Sequence, residues 1–340
     1  MILLTFDDAV NDVNFPLYEE IFEEMSASGR RRTNPNGCPI RAVFFVSHEW
    51  TDYGKVQTLY ARGHEVASHS ITHRFGEKFS TEDWRREHVG QREILHRYAN
   101  IPREDIRGTR AAFLQIGGDK QFQMLMDGNF SYDSSVSIFD NSPPFWPYTL
   151  DFAFDMQHDC MISPCPTRSY PGLWEIGLVM WQNLPGGGRC TMGNSCNSPP
   201  DEQAVYELIM SNFKRHYESN RAPFPMAYHS AWFTTPHHKA GFLRFIDEVL
   251  QLGDVYFVTN QQALQWMRQP TKLAHIDRFE PWQCPQLVSS APKKVLECLR
   301  PNICLVKFRK KNNVGSRYFK TCQVCPTDYP WIDTPDLLEN

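Results

Sequence analysis

The sequence predicts an α/β fold: parallel strands closing into a barrel with helices outside, a long insertion, and a Cys-rich tail. Three observations predict it. Short apolar runs alternate with segments whose apolar residues recur at helical spacing. About seven such strand–helix units can be counted, enough to close a barrel rather than a doubly wound sheet. The alternation breaks off between residues 139 and 200 and ends near Arg268, where Pro, Gly and Cys take over. The expected organisation is a barrel over 1–269 carrying the insertion 139–200, with a Cys/Pro-rich extension over 270–340 packed on it.

The elements follow in order. Ile2–Phe6 reads as a buried strand. Phe15 to Ser28 reads as a helix through Leu17, Ile21, Phe22 and Met25, with Pro16 in its first turn and Gly29 as its stop. Ala42–Val46 is a strand, Lys55–Arg62 a helix ended by Gly63, and Glu65–Ser68 a strand. Ser80-Thr81-Glu82-Asp83 opens a helix to about Tyr98. Ile106–Thr109 is strand-like, and Lys120–Asp127 is a helix stopped by Gly128. Within the insertion a strand pair is expected near Leu173–Trp181. Asp201 then caps a helix to about Tyr217, Met226–Tyr228 is a strand, and Lys239–Leu250 a helix. Val255–Val258 and Asn260–Met267 close the series as strand and helix.

Composition limits the function. The 340 residues are 41% apolar and 22% charged, the profile of a packed globular chain, and no run of 18 apolar residues exists to span a membrane. A net charge of −4 offers nothing toward nucleic acid or an anionic membrane surface, so neither is expected as a partner, and a monomer is expected. Ten cysteines in loop-rich contexts point to disulfides and an oxidising compartment. Their pairing is open, and zinc through Cys298, Cys304, Cys322 and Cys325 is an alternative with poor spacing. Asn129-Phe130-Ser131 is an N-glycosylation acceptor. The stretch after Met1 is too short for an export signal, so a secreted, extracellular protein is expected whose signal peptide is not present in this chain. Arg30-Arg31-Arg32 reads as solvated loop charge.

The chemistry concentrates at strand ends. Asp7-Asp8 closes the first strand, and barrels carry their active sites at that end. Two adjoining carboxylates call for a cation, which divides them into a ligand and a free base. His69-Ser70-Ile71-Thr72-His73 follows a later strand; an i, i+4 pair on a helical turn would aim both imidazoles the same way. With Asp8 they form a three-ligand set with an open position, the catalytic pattern for zinc, although another divalent transition metal would fit. His229, ending a strand on the same face, is a proton donor to a leaving group, and Trp232 stacks on a sugar or seals the core. Trp146 and Trp181 line a glycan groove or pack the insertion. Each of these alone has a structural reading; the conjunction is what points to metal-assisted hydrolysis.

Five motifs stand in order: Thr5-Phe6-Asp7-Asp8, Ser68-His69-Ser70-Ile71-Thr72-His73, Arg110-Ala111-Ala112-Phe113, Tyr132-Asp133-Ser134-Ser135 and Tyr228-His229-Ser230. Together they resemble the polysaccharide deacetylase (NodB-homology) family, carbohydrate esterase family 4. The stretches Leu3–Asn11, Gly108–Gln115, Tyr228–Phe233 and Cys322–Ile332 are similar to its insect chitin deacetylase branch. The resemblance implies a distorted (β/α)7 barrel and a zinc-dependent hydrolase of N-acetyl groups on chitin or chito-oligosaccharides. It implies Asp7 as base, Asp8, His69 and His73 as metal ligands, and His229 as acid. Arg110 would orient Asp7, Asp133 would hold His229, and the backbone N–H of Phe113 would meet the oxyanion. Shorter, gut-associated members are the nearer likeness, which places the protein in the gut or peritrophic matrix.

The family pattern has Pro where Ala112 stands and a larger apolar residue at Ala227, so a looser oxyanion amide and a looser acetyl pocket are expected. Absent amino-terminal cysteines would leave one or more of the ten thiols unpartnered. The alternative reading is a chitin-binding or matrix-organising protein with little turnover; retention of Asp7 argues against it.

Overall fold

Residues 1–26, 29–139, 141–152, 160–185, 187–284, 295–310 and 313–334 are described by a computed structural model. The barrel half begins Ile2–Asp7 (β1), Phe15–Phe22 (α1), Val43–Val46 (β2), Tyr53–Ala61 (α2), Glu65–Ser68 (β3) and Thr81–Ala99 (α3). It continues with Gly108–Thr109 (β4), Asp119–Asp127 (α4) and Tyr132–Asp133 (β5). Next come Ser137–Ile138 (β6), Tyr148–Leu150 (β7), Tyr170–Glu175 (β8), Leu178–Val179 (β9), Trp181–Gln182 (β10) and Arg189–Cys190 (β11). Then come Glu202–Tyr217 (α5), Phe224–His229 (β12), Pro236–Val249 (α6) and Asn260–Arg268 (α7), and finally the paired strands Asn302–Lys310 (β13) and Asn313–Thr321 (β14).

Eight strands form one curled sheet in the order β12-β1-β2-β3-β4-β5-β8-β7, parallel except for the edge strand β7. The ladder does not close; β9 packs beside β12 across the gap, which is the distortion of the barrel. Alternation along each strand separates two cores. Leu4, Phe6, Phe44 and Val66 face the helices with Tyr18, Ile21, Val56 and Leu59, whereas Leu3, Val43, Phe45 and Tyr132 fill the interior. α7 closes the base of that interior through Ala263 and Leu264. Helix starts follow the sequence signals. Ser80 and Asp83 form a reciprocal capping box, and Asp201 accepts from the Ala204 N–H, caps worth about 1 kcal/mol each.

Several expectations change. The first helix ends at Phe22, and Ser28, its expected last residue, lies outside the described residues. Val255–Val258 makes only a bridge between Ile2 and Phe257, because β1 already has β12 and β2 on its two sides. Arg32 is buried, not solvated: it binds Asp247 through two nitrogens and the carbonyls of Glu20 and Ile21. All ten cysteines are paired, as 38–284, 160–165, 190–196, 298–322 and 304–325, so no thiol is left over and none is available for zinc in the tail. Such pairing belongs to an oxidising compartment. No helix among the described residues is long and apolar enough to cross a membrane.

The β13–β14 hairpin has no periodic signature in the sequence. Its inward residues Cys304, Val306, Phe308 and Phe319 join the helix-side core, but Ile303, Leu305 and Tyr318 on the outer face are also large and exposed. With both faces apolar, the alternation that marks a strand is erased.

Candidate active site

The parallel sheet brings its strand ends to one rim. Asp7 ends β1, His69 follows β3, Arg110 follows β4, Ser134 follows β5, and His229 ends β12 directly opposite Asp7 in register. Asp8 leaves β1 with φ +82, a conformation unfavourable for a residue with a Cβ, held by its N–H to the Phe45 carbonyl. That turn puts the carboxylate among three imidazoles. Asp8 Oδ1 lies 3.2 Å from His73 Nε2 and 3.8 Å from His69 Nε2, and Oδ2 lies 3.7 Å from His229 Nε2.

The His pair is close, with ring centroids 5.0 Å apart, but it is not on a helix. Ser70 (φ +67) and His73 (φ +49) are left-handed, so the segment is a tight loop. Glu87 of α3 supplies what a helix would have supplied. Its carboxylate accepts from the N–H groups of Ile71 (2.9 Å) and Thr72 (2.8 Å) and from the Thr72 hydroxyl. The Ser70 hydroxyl takes the His73 N–H. His69 Nδ1 donates to the Arg110 carbonyl at 2.8 Å, which fixes the tautomer and leaves the Nε2 lone pair facing Asp8.

Electrostatics sort these groups. Burial would push the Asp8 carboxyl up, but the hydrogen bond from His73 and the charges of His69, His229 and His73 outweigh it and hold it down at about 2. Burial keeps the His69 imidazole below its ordinary value, against the pull of Asp7 and Asp8. Burial opposes protonation of His73 as well, yet its bond to Asp8 carries it above the ordinary value. The ligating atoms of Asp8, His69 and His73 lie within 4.8 Å of one another. Two imidazole nitrogens and one ionised carboxylate are the donor set of a divalent transition metal.

Asp7 is 4% exposed and bound to Arg110, Nη1 to Oδ1 at 2.6 Å. Arg110 is fully buried. It also donates to Thr5 Oγ1 and to the carbonyl and hydroxyl of Ser134, and its guanidinium lies 4.0 Å over the Phe45 ring. β1, β2 and the ends of β4 and β5 thus contribute to holding one carboxylate still.

Asp133 is not where the sequence placed it. Its carboxylate accepts from Thr109 Oγ1, Gln121 Nε2 and the Ser135 N–H, on the side of β5 that faces α4 rather than the barrel interior. Four strands, β1 to β4, lie between β5 and β12 in the sheet. Beside Asp133 in register is Glu175, which burial and the Asp133 charge raise well above the usual carboxyl range. The group that meets His229 is Asn194. Its Oδ1 accepts the His229 N–H at 2.9 Å and lies 3.2 Å from His229 Nδ1. Asn194 belongs to no motif; the one signal for it in the sequence is the pair Cys190 and Cys196, which closes a short loop around it. Met192 of the same loop packs with Leu114, Leu178 and Ala227, so the wall at Ala227 is built by neighbours rather than left open.

Phe113 is left-handed (φ +59), as is Leu114, and no acceptor for its N–H occurs among the described hydrogen bonds. With Ala112 lacking a ring, the segment is anchored instead by the Ala111 N–H to Ser135 Oγ at 2.8 Å. The Phe113 side chain stacks on Phe75 and touches the His73 ring.

Two tryptophans leave the site. Trp181 is 1% exposed, stacks on Phe224 and donates to the Pro225 carbonyl. Trp146 stacks on Trp266 and lines a cavity with Met1 and Phe224, at the opposite end of β1 and β12 from Asp7. Trp232 stays within three residues of His229, with one ring face against His238.

Residues 36–119 match the family model for polysaccharide deacetylase. Chitin deacetylase 8 of Bombyx mori is 35% identical over 98% of this chain and 84% of its own length. The chain belongs to the polysaccharide deacetylase family. Chitin deacetylase 1 of Bombyx mori is 39% identical over 98% of this chain, which spans 62% of that protein's length. Among solved structures, the Xyl-CE4 domain of a multidomain xylanase from the hindgut metagenome of Trinervitermes trinervoides is similar over 78% of this chain and 90% of that one (16% identity, TM-score 0.43).

Proposed function

We propose that this protein is a secreted, zinc-dependent hydrolase that removes N-acetyl groups from chitin or chito-oligosaccharides. The observation that carries the reading is the convergence of Asp8, His69, His73 and His229 beside an Asp7 that is held separately by Arg110. Asp8, His69 and His73 would hold a divalent ion, which when bound would supply the positive charge that acidifies water toward neutral pH and polarises the acetyl carbonyl. Asp7 accepts the proton of the attacking water. Arg110 holds that carboxylate in place through Nη1, 2.6 Å from Oδ1. The Phe113 N–H is the donor for the developing oxyanion, and Met192, Leu178 and Leu114 bound the space for the acetyl methyl. His229 gives the proton that the departing amine requires, and Asn194 holds its Nδ1 side so that Nε2 faces the reacting groups.

Acetate release from N-acetylglucosamine oligomers, abolished by a chelator and restored by zinc, tests the proposal. A metal-loaded protein that releases no acetate from any such polymer overturns it. A narrower expectation concerns Asn194. Asn194→Ala lowers kcat for amide substrates by about 10- to 100-fold, part of the value of a positioned acid. Hydrolysis of an aryl acetate, whose leaving group needs no proton, falls much less. Parallel losses on both substrates contradict a role through His229.

A further inference from the structure

We infer that Trp50 and the outer face of the β13–β14 hairpin form a distal subsite for a chain of N-acetylglucosamine units, engaged only by longer substrates. The inference rests on the deacetylase reading above and extends its groove. Two adjoining cavities, of about 530 and 420 Å³, share Asn11 and Trp50 as their common wall. The first contains Asp8. The second is lined by Tyr318 of the hairpin, so the space that begins beside Asp8 continues past Trp50 onto the tail.

Trp50 is built as a platform. It is 74% exposed, an unusual state for the largest apolar side chain, and sits at φ +69, where a bulky residue is strained. The ring is contacted from the hairpin. Arg317 lies 5.2 Å over the Trp50 ring while also contacting the Phe308 ring, and it pairs with Glu49 at 3.1 Å. A ring backed on one side by a guanidinium and otherwise open to water is suited to stack on the apolar face of a sugar. Tyr318, also 74% exposed, continues the surface, and Asp12, fixed by Lys55 and Lys320, adds carboxylate acceptors for hydroxyl groups along the floor. The occupant is a glycan rather than a protein partner because the surface is continuous with the space beside Asp8 and alternates aromatic faces with fixed polar groups.

Titration calorimetry with the N-acetylglucosamine dimer and hexamer tests this without turnover. The parent is expected to bind the hexamer more tightly than the dimer, and Trp50→Ala to shrink the ratio of the two Kd values by about fivefold, the loss of one stacking contact. Tyr318→Ala, on an exposed face remote from the core, shrinks it in the same direction. Thermal melts identify a variant that has lost its fold, in which case the Tyr318 variant decides. A ratio unchanged in the folded variants, or a parent with no preference for the hexamer, overturns the inference. A parent that binds with length preference but releases no acetate overturns the proposed reaction and leaves the subsite standing.

Discussion

Asp7→Asn is expected to lower acetate release by about 10²–10⁴-fold while the protein still takes up an equivalent of zinc. Asp7 lies outside the ligand set: Asp8, His69 and His73 supply the donors, and the Asp7 carboxylate is committed to Arg110. An asparagine preserves the shape and leaves an oxygen to accept from Arg110, but it cannot take a proton from water. Paired measurement of acetate release and metal content separates the two roles of the adjoining carboxylates. Asp8→Ala should lose both metal and activity, Asp7→Asn only activity. Asp7→Asn that keeps within a few-fold of the parent rate would show that another group is the base.

Arg110→Ala is expected to be the most destabilising substitution at the site, by about 3–5 kcal/mol in urea unfolding. The guanidinium is fully buried, and every partner it has is buried too: Asp7, Thr5, Ser134 and the Phe45 ring. Removing it leaves the Asp7 carboxylate in the interior without its counter-charge, and the desolvation of that charge is then uncompensated. Arg110→Lys restores a charge but not the planar fork that reaches Asp7, Thr5 and Ser134 at once, so it recovers only part of the loss. Combining Asp7→Asn with Arg110→Met should be less destabilising than Arg110→Ala alone, because no unpaired charge remains. A loss below about 1 kcal/mol for Arg110→Ala would contradict the buried pair as described.

Periodicity made most of the barrel legible, because strands buried on both faces read as apolar runs and the helices carry caps such as Ser80 and Asp201. It failed where another contact substitutes for a regular element. His69 and His73 have helical spacing, yet Glu87, distant in sequence, satisfies the N–H groups that a helix would have bonded, and the segment folds as a loop. Asp133 and Asn194 show the same limit at the level of the site. An acidic residue within a motif is conspicuous, but which face of β5 it occupies depends on α4 packing there. The residue that reaches His229 comes from a disulfide loop in the irregular insertion. Trp146 and Trp181 were ambiguous for a simpler reason: a ring that stacks on sugar and a ring that stacks on Phe224 have the same composition signal.

The account depends on one ion-binding site made by Asp8, His69 and His73. Zinc titration of the chelator-treated parent and of His69→Ala, read as bound metal, addresses it most directly. The account predicts that the parent binds one ion and that His69→Ala weakens binding by at least about 100-fold. A parent that takes up no zinc, or a His69→Ala variant that binds as tightly as the parent, contradicts it.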